Sequence, residues 1–187
     1  RFKQKYARSG LYKRKKKSDY DLINDDLLNL PMGTLGRDFY EWLGRNNEST
    51  LILYNRYKNK NDNKIATDFK KTWCLCHDLQ HFFTGYNTSK AGEVMMIAYT
   101  LKQEFRPSGV ALIFVGCLQR VDFKKFKTLF LLLREAYKLG NNKWFPTLDW
   151  EQLFKQRTVD VKKELGFNKK PELYLQNEEY LNKKYKR

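Results

Sequence analysis

Both histidines of the chain fall within Cys76-His77-Asp78-Leu79-Gln80-His81-Phe82-Phe83, and the next carboxylate along the chain is Glu93. This spacing asks for a helix, a reversal and a second helix. Successive residues of a helix are rotated by about 100°, so His81 falls about 40° from His77, and Asp78 about 100° from it. Three ligand-type side chains then share one arc. Eleven residues separate His81 from Glu93. Among them, Thr84-Gly85-Tyr86-Asn87-Thr88-Ser89 reads as a break, with the glycine ending one helix and Thr88 or Ser89 capping the next. A chain that turns back here carries Glu93 toward the histidines. His77, Asp78, His81 and Glu93 together offer two imidazoles and two carboxylates, a donor set suited to zinc, manganese or iron(II). The competing reading is a His–Asp hydrogen-bond network in an ordinary core. The absence of any other histidine, and a carboxylate at the start of the next helix, favour the metal. If all four side chains closed a tetrahedral zinc, the site would be structural. With Asp78 outside a closed set, its carboxylate is a candidate base.

The rest of the chain predicts an all-α fold in one domain with the metal helix at its centre. Ser18-Asp19-Tyr20-Asp21 resembles a capping box opening a short helix through Leu28, which Leu30-Pro31 stops. Thr34 is placed to cap a helix carrying Phe39, Tyr40, Trp42 and Leu43. Gly33 and Gly36 around it fit either a tight turn between helices or a close approach of backbone to the metal helix or a ligand, with Arg37 set to face an anionic group. A helix over Leu51–Tyr57, a polar loop over Lys58–Lys64, and a metal helix capped by Thr67 or Asp68 and ending near Phe83 follow. The next helix spans about Ser89 to Phe105 and is closed by Arg106-Pro107. Gly109–Leu118 is apolar throughout but too short to cross a bilayer, which takes about 20 residues. It reads as a buried helix, since no partner strand is evident. Asp122 caps a long helix to Leu139, with Phe123, Phe126, Phe130, Leu133 and Tyr137 as its core stripe, widened by Leu129, Leu131 and Leu132, and Gly140 past its end. Short helices are expected near Asp149–Phe154 and Thr158–Leu165. The organisation is thus a basic arm over 1–17, a helical domain over 18–167 and a basic tail over 168–187.

Formal net charge is +16, and residues 1–17 carry nine Lys or Arg and no acid. Such an arm attracts polyanions, either nucleic acid or anionic lipid headgroups. The basic residues lie mostly in the tails and are not interleaved with aromatics on one face, which argues against a nucleic-acid binder. Three cysteines make no even disulfide framework and point to a reducing compartment. Val94–Leu101, Gly109–Leu118 and Phe126–Leu133 are more apolar than a core of this size needs. A well-packed core, a dimer face or a slot for a long hydrocarbon each accounts for them. In the last case Met96, Ala98, Leu101 and Phe114 are the candidate lining residues, with Arg37 as charge partner for the head. HDxxH also approximates the HExxH of zinc proteases, but Asp78 is one methylene shorter than the glutamate base there, which disfavours a peptidase.

The His77-Asp-Leu-Gln-His81 string, with Glu93 after eleven residues, resembles the ubiquinone (coenzyme Q) biosynthesis family known as Coq-four. Leu30-Pro31-Met32-Gly33-Thr34-Leu35-Gly36-Arg37 is similar to that family's LPxGTLGR box, and Glu164-Leu165-Gly166 is a weaker match. The likeness runs from about Leu27 to Phe167. The family carries arginines just before the His–Asp pair, where this chain has Lys70-Lys71-Thr72-Trp73-Cys74. The resemblance implies a peripheral membrane protein of ubiquinone biosynthesis that binds a polyprenylated ring precursor or isoprenoid lipid and organises the other pathway enzymes. A homodimer is expected. The implied metal is foremost zinc, with magnesium, manganese or iron(II) as alternatives. The implied reaction is oxidative decarboxylation at ring carbon one, with Asp78 as its catalytic residue; a non-catalytic lipid-binding scaffold uses the same side chains. The expected location is the cytoplasmic face of the membrane in a bacterium, or the matrix side of the inner mitochondrial membrane in a eukaryote.

Overall fold

A computed structural model describes residues 25–45, 64–103, 105, 107–118, 126–140 and 145–183. The expected basic arm, the Ser18 capping box, the helix over Leu51–Tyr57 and the Asp122 cap lie outside them. The fold is all-α, as the sequence predicts. The described helices are α1 Asp25–Leu28, α2 Leu35–Arg45, α3 Lys64–Thr84, α4 Lys90–Gln103, α5 Pro107–Leu118, α6 Phe126–Leu139, α7 Trp150–Leu153, α8 Thr158–Leu165 and α9 Glu172–Lys183. Among the described residues there is no strand; a single antiparallel bridge joins Thr34 to Arg157. These residues divide into two compact units, 25–82 with 145–165, and 83–140 with 166–183.

In the first unit, α2 packs on α1 and α8. The segment before α2 is strapped to the segment before α8 by backbone hydrogen bonds: Leu35 N to Gln156 O, Gly36 N to Phe154 O, and Thr158 N to Gly33 O. The Thr158 hydroxyl adds a bond to the Asp38 carboxylate at 2.5 Å. A Cβ on Gly36 would sit 2.5 Å from Leu30 Cδ1, 2.9 Å from Leu27 Cδ2 and 3.0 Å from Phe154 Cβ. Its lack of a side chain therefore serves close packing against Leu27, Leu30 and Phe154, while Gly33, with φ of 79°, makes the turn between α1 and α2. Thr34 stands directly before α2, in the cap position: its carbonyl accepts from Asp38 N at 3.0 Å, while its hydroxyl donates to Pro31 O at 2.6 Å. Phe39 stacks on Trp42 and Phe154 and meets Phe82 edge-on. Trp150 is buried, with its indole N–H donating to Phe145 O at 3.1 Å. Asp149 caps α7 through Gln152 N, within the stretch where a short helix was expected.

Helix α3 starts three residues before the predicted cap, so neither Thr67 nor Asp68 caps it. From Thr72 onward it is enclosed on most sides: Thr72, Cys74, Leu75, Cys76, Asp78, Leu79, Gln80, His81, Phe83 and Thr84 are all buried. Helix burial on both apolar and polar positions marks a core element rather than an amphipathic surface one.

In the second unit, α4 packs on α5 and α6, and α6 on α9. Gly109–Leu118 is helical, and Pro107 opens that helix rather than merely ending α4. Proline suits a first helical position because its missing N–H would be unsatisfied there anyway. The core stripe of α6 differs in part from the expected one. Leu132 and Ala136 are buried, with Leu129, Leu133 and Leu139 partly buried, whereas Phe130 and Tyr137 are exposed. The small Ala136 is the inward residue where the large aromatics had been expected. Within 168–187, expected as a basic tail, α9 places Tyr174 and Leu181 in the same core as Tyr86, Met95, Met96, Ala98 and Tyr99. Phe167 stacks on Phe83 at 4.7 Å and on Tyr99 at 6.1 Å.

Candidate metal centre

The reversal between α3 and α4 is built much as its residues suggest. Gly85, with φ of 81°, takes the left-handed conformation that closes α3. Ser89 caps α4: its hydroxyl accepts from Gly92 N at 3.3 Å, and its carbonyl accepts from Glu93 N at 2.9 Å. Asn87 Oδ1 accepts from Ser89 N at 3.0 Å, which tightens the turn further. A Cβ on Gly92 would lie 1.8 Å from Asn87 O, so only glycine fits the return of the chain at that point. Glu93 follows in the first turn of α4.

The result is a group of three. His77, His81 and Glu93 each offer one ligand atom, and these atoms lie within 4.8 Å of one another. The two imidazoles are one helical turn apart on α3, with ring centroids 4.7 Å apart and planes inclined at 67°. His81 is buried, whereas His77 is partly open.

Asp78, expected as a fourth ligand and as a base, is buried beside His77 and is not part of that group. Its Oδ1 lies 3.1 Å from His77 Nδ1. An ionised carboxylate only accepts, so in that pairing the proton sits on Nδ1 and Nε2 is the nitrogen that a metal would take. Carboxylates in this position behind a histidine ligand fix the ring and raise its basicity. Cys74, one turn before Asp78, is buried and unbridged, as is Cys76. Burial, and then the Asp78 charge, push the Cys74 thiol up to about 11.

The other expected site residues are dispersed. Arg37 Nε pairs with Glu41 at 2.8 Å, and Arg37 Nη1 donates to Leu28 O. Met96 and Ala98 lie inside the core of the second unit, and Met96 Sδ accepts a bond from Thr84 Oγ1 at 3.5 Å. Leu101 is half-buried and packs near Gly109, whereas Phe114 is exposed. Residues that sequence reasoning did not single out are those that hold the turn. Asn87 Nδ2 donates to Glu178 at 2.7 Å and Asn87 Oδ1 accepts from Tyr174 Oη at 2.8 Å. Glu135 receives the amides of Leu173 and Tyr174 and so caps α9. No local signal links position 87 to position 174.

Two imidazoles and a carboxylate gathered at a helical reversal define an all-α protein with a candidate metal centre. The family model for Coenzyme Q (ubiquinone) biosynthesis protein Coq4 matches residues 2–171, and the chain belongs to that family. It is 26% identical over 153 residues to a mitochondrial ubiquinone biosynthesis protein of Neurospora crassa, covering 79% of this chain and 42% of the relative. A mitochondrial ubiquinone biosynthesis protein of Eremothecium gossypii is 26% identical over 174 residues, with 89% and 51% covered. The chain spans about half the length of the curated relatives it matches. A crystal structure of a putative ubiquinone biosynthesis protein from Nostoc punctiforme shares the fold, with a TM-score of 0.57 over 90% of this chain and 83% of that one, at 23% identity. No helix among the described residues is long and apolar enough to cross a membrane.

Proposed function

We propose that the chain acts in ubiquinone assembly by holding a divalent metal at His77, His81 and Glu93 and binding beside it the anionic ring of a polyprenylated benzoate. One observation carries this reading: in a chain of this family, ligand atoms of those three residues lie within 4.8 Å of one another. Two imidazoles and one carboxylate fit zinc first, then manganese or iron(II). Three protein ligands leave a coordination position for an oxygen of the ring. When bound, such a metal polarises a carboxylate or phenolic oxygen and stabilises negative charge developing on it.

The chain's own residues do the rest. Asp78 orients His77 and fixes its tautomer. Arg37 keeps N–H donors beyond those given to Glu41 and Leu28 O, and is the cation assigned to the ring carboxylate. The hydrocarbon is assigned to α4 and α5, along Met96, Ala98 and Leu101. The reaction served is oxidative decarboxylation at ring carbon one: the carboxylate leaves as carbon dioxide, a hydroxyl takes its place with water or dioxygen as the oxygen source, and an external two-electron oxidant such as dioxygen takes up the electrons. A second reading, a lipid-binding scaffold for other ubiquinone enzymes at a membrane surface, is favoured by the position of Asp78 on His77, where its carboxylate orients a ligand.

The test is a titration with prenylated benzoates of increasing chain length, read by tryptophan fluorescence. Each buried CH₂ contributes about 0.8 kcal/mol, so affinity climbs with tail length until the slot is full. Leu101→Trp, at a half-buried position, abolishes that dependence while metal content and the circular-dichroism spectrum are kept. Equal affinity for all lengths, with Leu101→Trp behaving like the parent, ends the lipid part of the proposal. Release of carbon dioxide from ring-carboxyl-labelled substrate separates enzyme from scaffold.

A further inference from the structure

The second unit holds a cavity of about 400 Å³ that shares no residue with the metal triad or with the positions assigned to the ring carboxylate and the hydrocarbon. Its floor is apolar: Tyr99 is buried, Phe167 is half-buried, and their rings stack at 6.1 Å. Its mouth is cationic. Lys102 comes from the last turn of α4, Lys138 from the last turn of α6 and Lys169 from the segment between α8 and α9, and all three are exposed. Segments far apart in the chain thus bring three ammonium groups to one cavity, which a run of charges along a single solvated helix face does not do. No acid and no arginine lines it. None of the three lysines pairs with a carboxylate among the described residues. Lys102 gives one N–H to Lys138 O at 3.2 Å and keeps two. That bond meets the carbonyl end of α6, whose dipole amounts to about half a negative charge against three positive ones. Gly140 lets this helix end close in, since a Cβ there would lie 2.5 Å from Tyr99 O. Small-molecule sites combine an apolar lining with a few convergent polar groups in a volume of about 300–1,000 Å³, and this cavity has both.

We propose that this cavity binds a water-soluble organic diphosphate, of the size of a nucleoside diphosphate, with its phosphates on the three lysines and its organic body over Leu139 and Phe167. Chemistry chooses the anion. The planar fork of arginine is the usual partner of a carboxylate, whereas lysine is a point charge suited to phosphate. A phosphate ester carries about 1.5–2 negative charges near neutral pH, so one phosphate leaves an ammonium unmatched and two come close to matching three. An inorganic anion would leave the apolar floor in contact with water, whereas an organic body covers it. Asn168, which also lines the cavity, adds an amide donor. Low-dielectric walls focus the field of the lysines into the cavity and raise the local concentration of a polyanion. The site uses neither the metal ligands nor Arg37, Met96, Ala98 or Leu101, so the inference goes beyond the proposed function and does not depend on it.

The test is isothermal titration of the full chain with ADP, inorganic pyrophosphate and inorganic phosphate at about 0.15 M salt, where the Debye length of about 8 Å screens the general positive charge. The expected order of affinity is ADP, then pyrophosphate, then phosphate, with a single ADP bound per chain. Lys138→Gln and Lys169→Gln each weaken ADP by about tenfold or more, because a charge-assisted hydrogen bond is lost. Lys127→Gln and Lys163→Gln remove the same charge from exposed positions outside the cavity and leave ADP affinity unchanged within about twofold. Melting temperatures of the four free variants stay near the parent's, and ADP raises the melting temperature of the parent and the two control variants only. Failure of ADP to bind, or equal weakening by cavity and control lysines, would overturn the proposal. So would geranyl diphosphate that displaces ADP at about a tenth of the concentration pyrophosphate requires, since the cavity would then belong to an isoprenoid.

Discussion

The phenol of Tyr174 donates to Asn87 Oδ1 at 2.8 Å, tying helix α9 to the turn that delivers Glu93. The same amide oxygen accepts from Ser89 N, and Asn87 Nδ2 holds Glu178. One side chain therefore joins the cap of α4 to α9. Asn87→Ala removes all three bonds. We expect a loss of about 2–3 kcal/mol in thermal or urea unfolding, against about 1 kcal/mol for Tyr174→Phe. Metal affinity should fall in Asn87→Ala and hold in Tyr174→Phe. Equal stability of both variants would show that Asn87 contributes no more than one hydrogen bond.

Two glycines separate backbone from side-chain crowding. A methyl at Gly92 meets the Asn87 carbonyl, which cannot move without opening the turn. A methyl at Gly36 meets chiefly the ends of leucine side chains, which have other rotamers. Gly92→Ala should cost more than the roughly 1–3 kcal/mol typical of overpacking, and Gly36→Ala about that amount. Circular-dichroism melts of the two variants check the order, and metal content should drop only in Gly92→Ala.

The gathering of His77, His81 and Glu93 was legible because its determinants are local. A helical period places His77 with His81, and Gly85 and Ser89 punctuate the return to Glu93. Helix α8 was legible for the same reason, with Thr158 and Gly166 at its ends. Asp78 was harder: its angle on the helix suited a ligand, but the side chain is short enough to fold back onto its neighbour's Nδ1. The face of α6 was only half legible: Leu129, Leu132 and Leu133 stand inward within the expected wide stripe, but Ala136 and Leu139 continue their row with the same period as Phe126, Phe130 and Tyr137. Periodicity cannot choose between two apolar stripes on one helix, and packing against α4 takes the one that includes the small Ala136. The bonds that fasten Thr34–Gly36 to Phe154–Thr158, and Asn87 to Tyr174, join residues far apart in the chain and leave no trace in local pattern.

Stability should fall on the alkaline side in overlapping steps, because the Cys74 thiol and the Tyr174 and Tyr86 phenols all hold their protons to higher pH in the folded chain, chiefly through burial. Burial, then the charge of Asp78, raises the Cys74 thiol from its usual 9.0 to about 11. Burial likewise raises the Tyr174 phenol from 10.0 to about 12. Both groups favour their neutral form in the folded chain. Their contribution is therefore complete below the unfolded values and is lost as pH rises through the folded ones, from about 9 to 11 for Cys74 and from about 10 to 12 for Tyr174. Melting temperature should decline across this range, and Cys74→Ala should remove the earlier step. A melting temperature that does not change between pH 9 and 11 in the parent would contradict the account of Cys74.

Asp78 distinguishes a three-residue metal set from a four-residue one. With His77, His81 and Glu93 as the ligands, Asp78 acts only through the His77 ring. Asp78→Asn keeps a side chain of the same shape; its amide can turn its oxygen to Nδ1–H, so the ring stays oriented but loses the neighbouring charge. Partners of this kind typically change metal affinity by about 10- to 100-fold. We therefore expect purified Asp78→Asn to carry metal near the parent's stoichiometry but to yield it to a competing chelator at a lower concentration. His77→Ala and His81→Ala should lose stoichiometric metal outright, and Glu93→Gln most of it. Elemental analysis after gel filtration, followed by chelator competition, reads both quantities. If Asp78→Asn is as empty as His81→Ala while its circular-dichroism spectrum is that of the parent, the carboxylate binds the metal directly, and the bond to His77 Nδ1 is exchanged for a metal bond on loading.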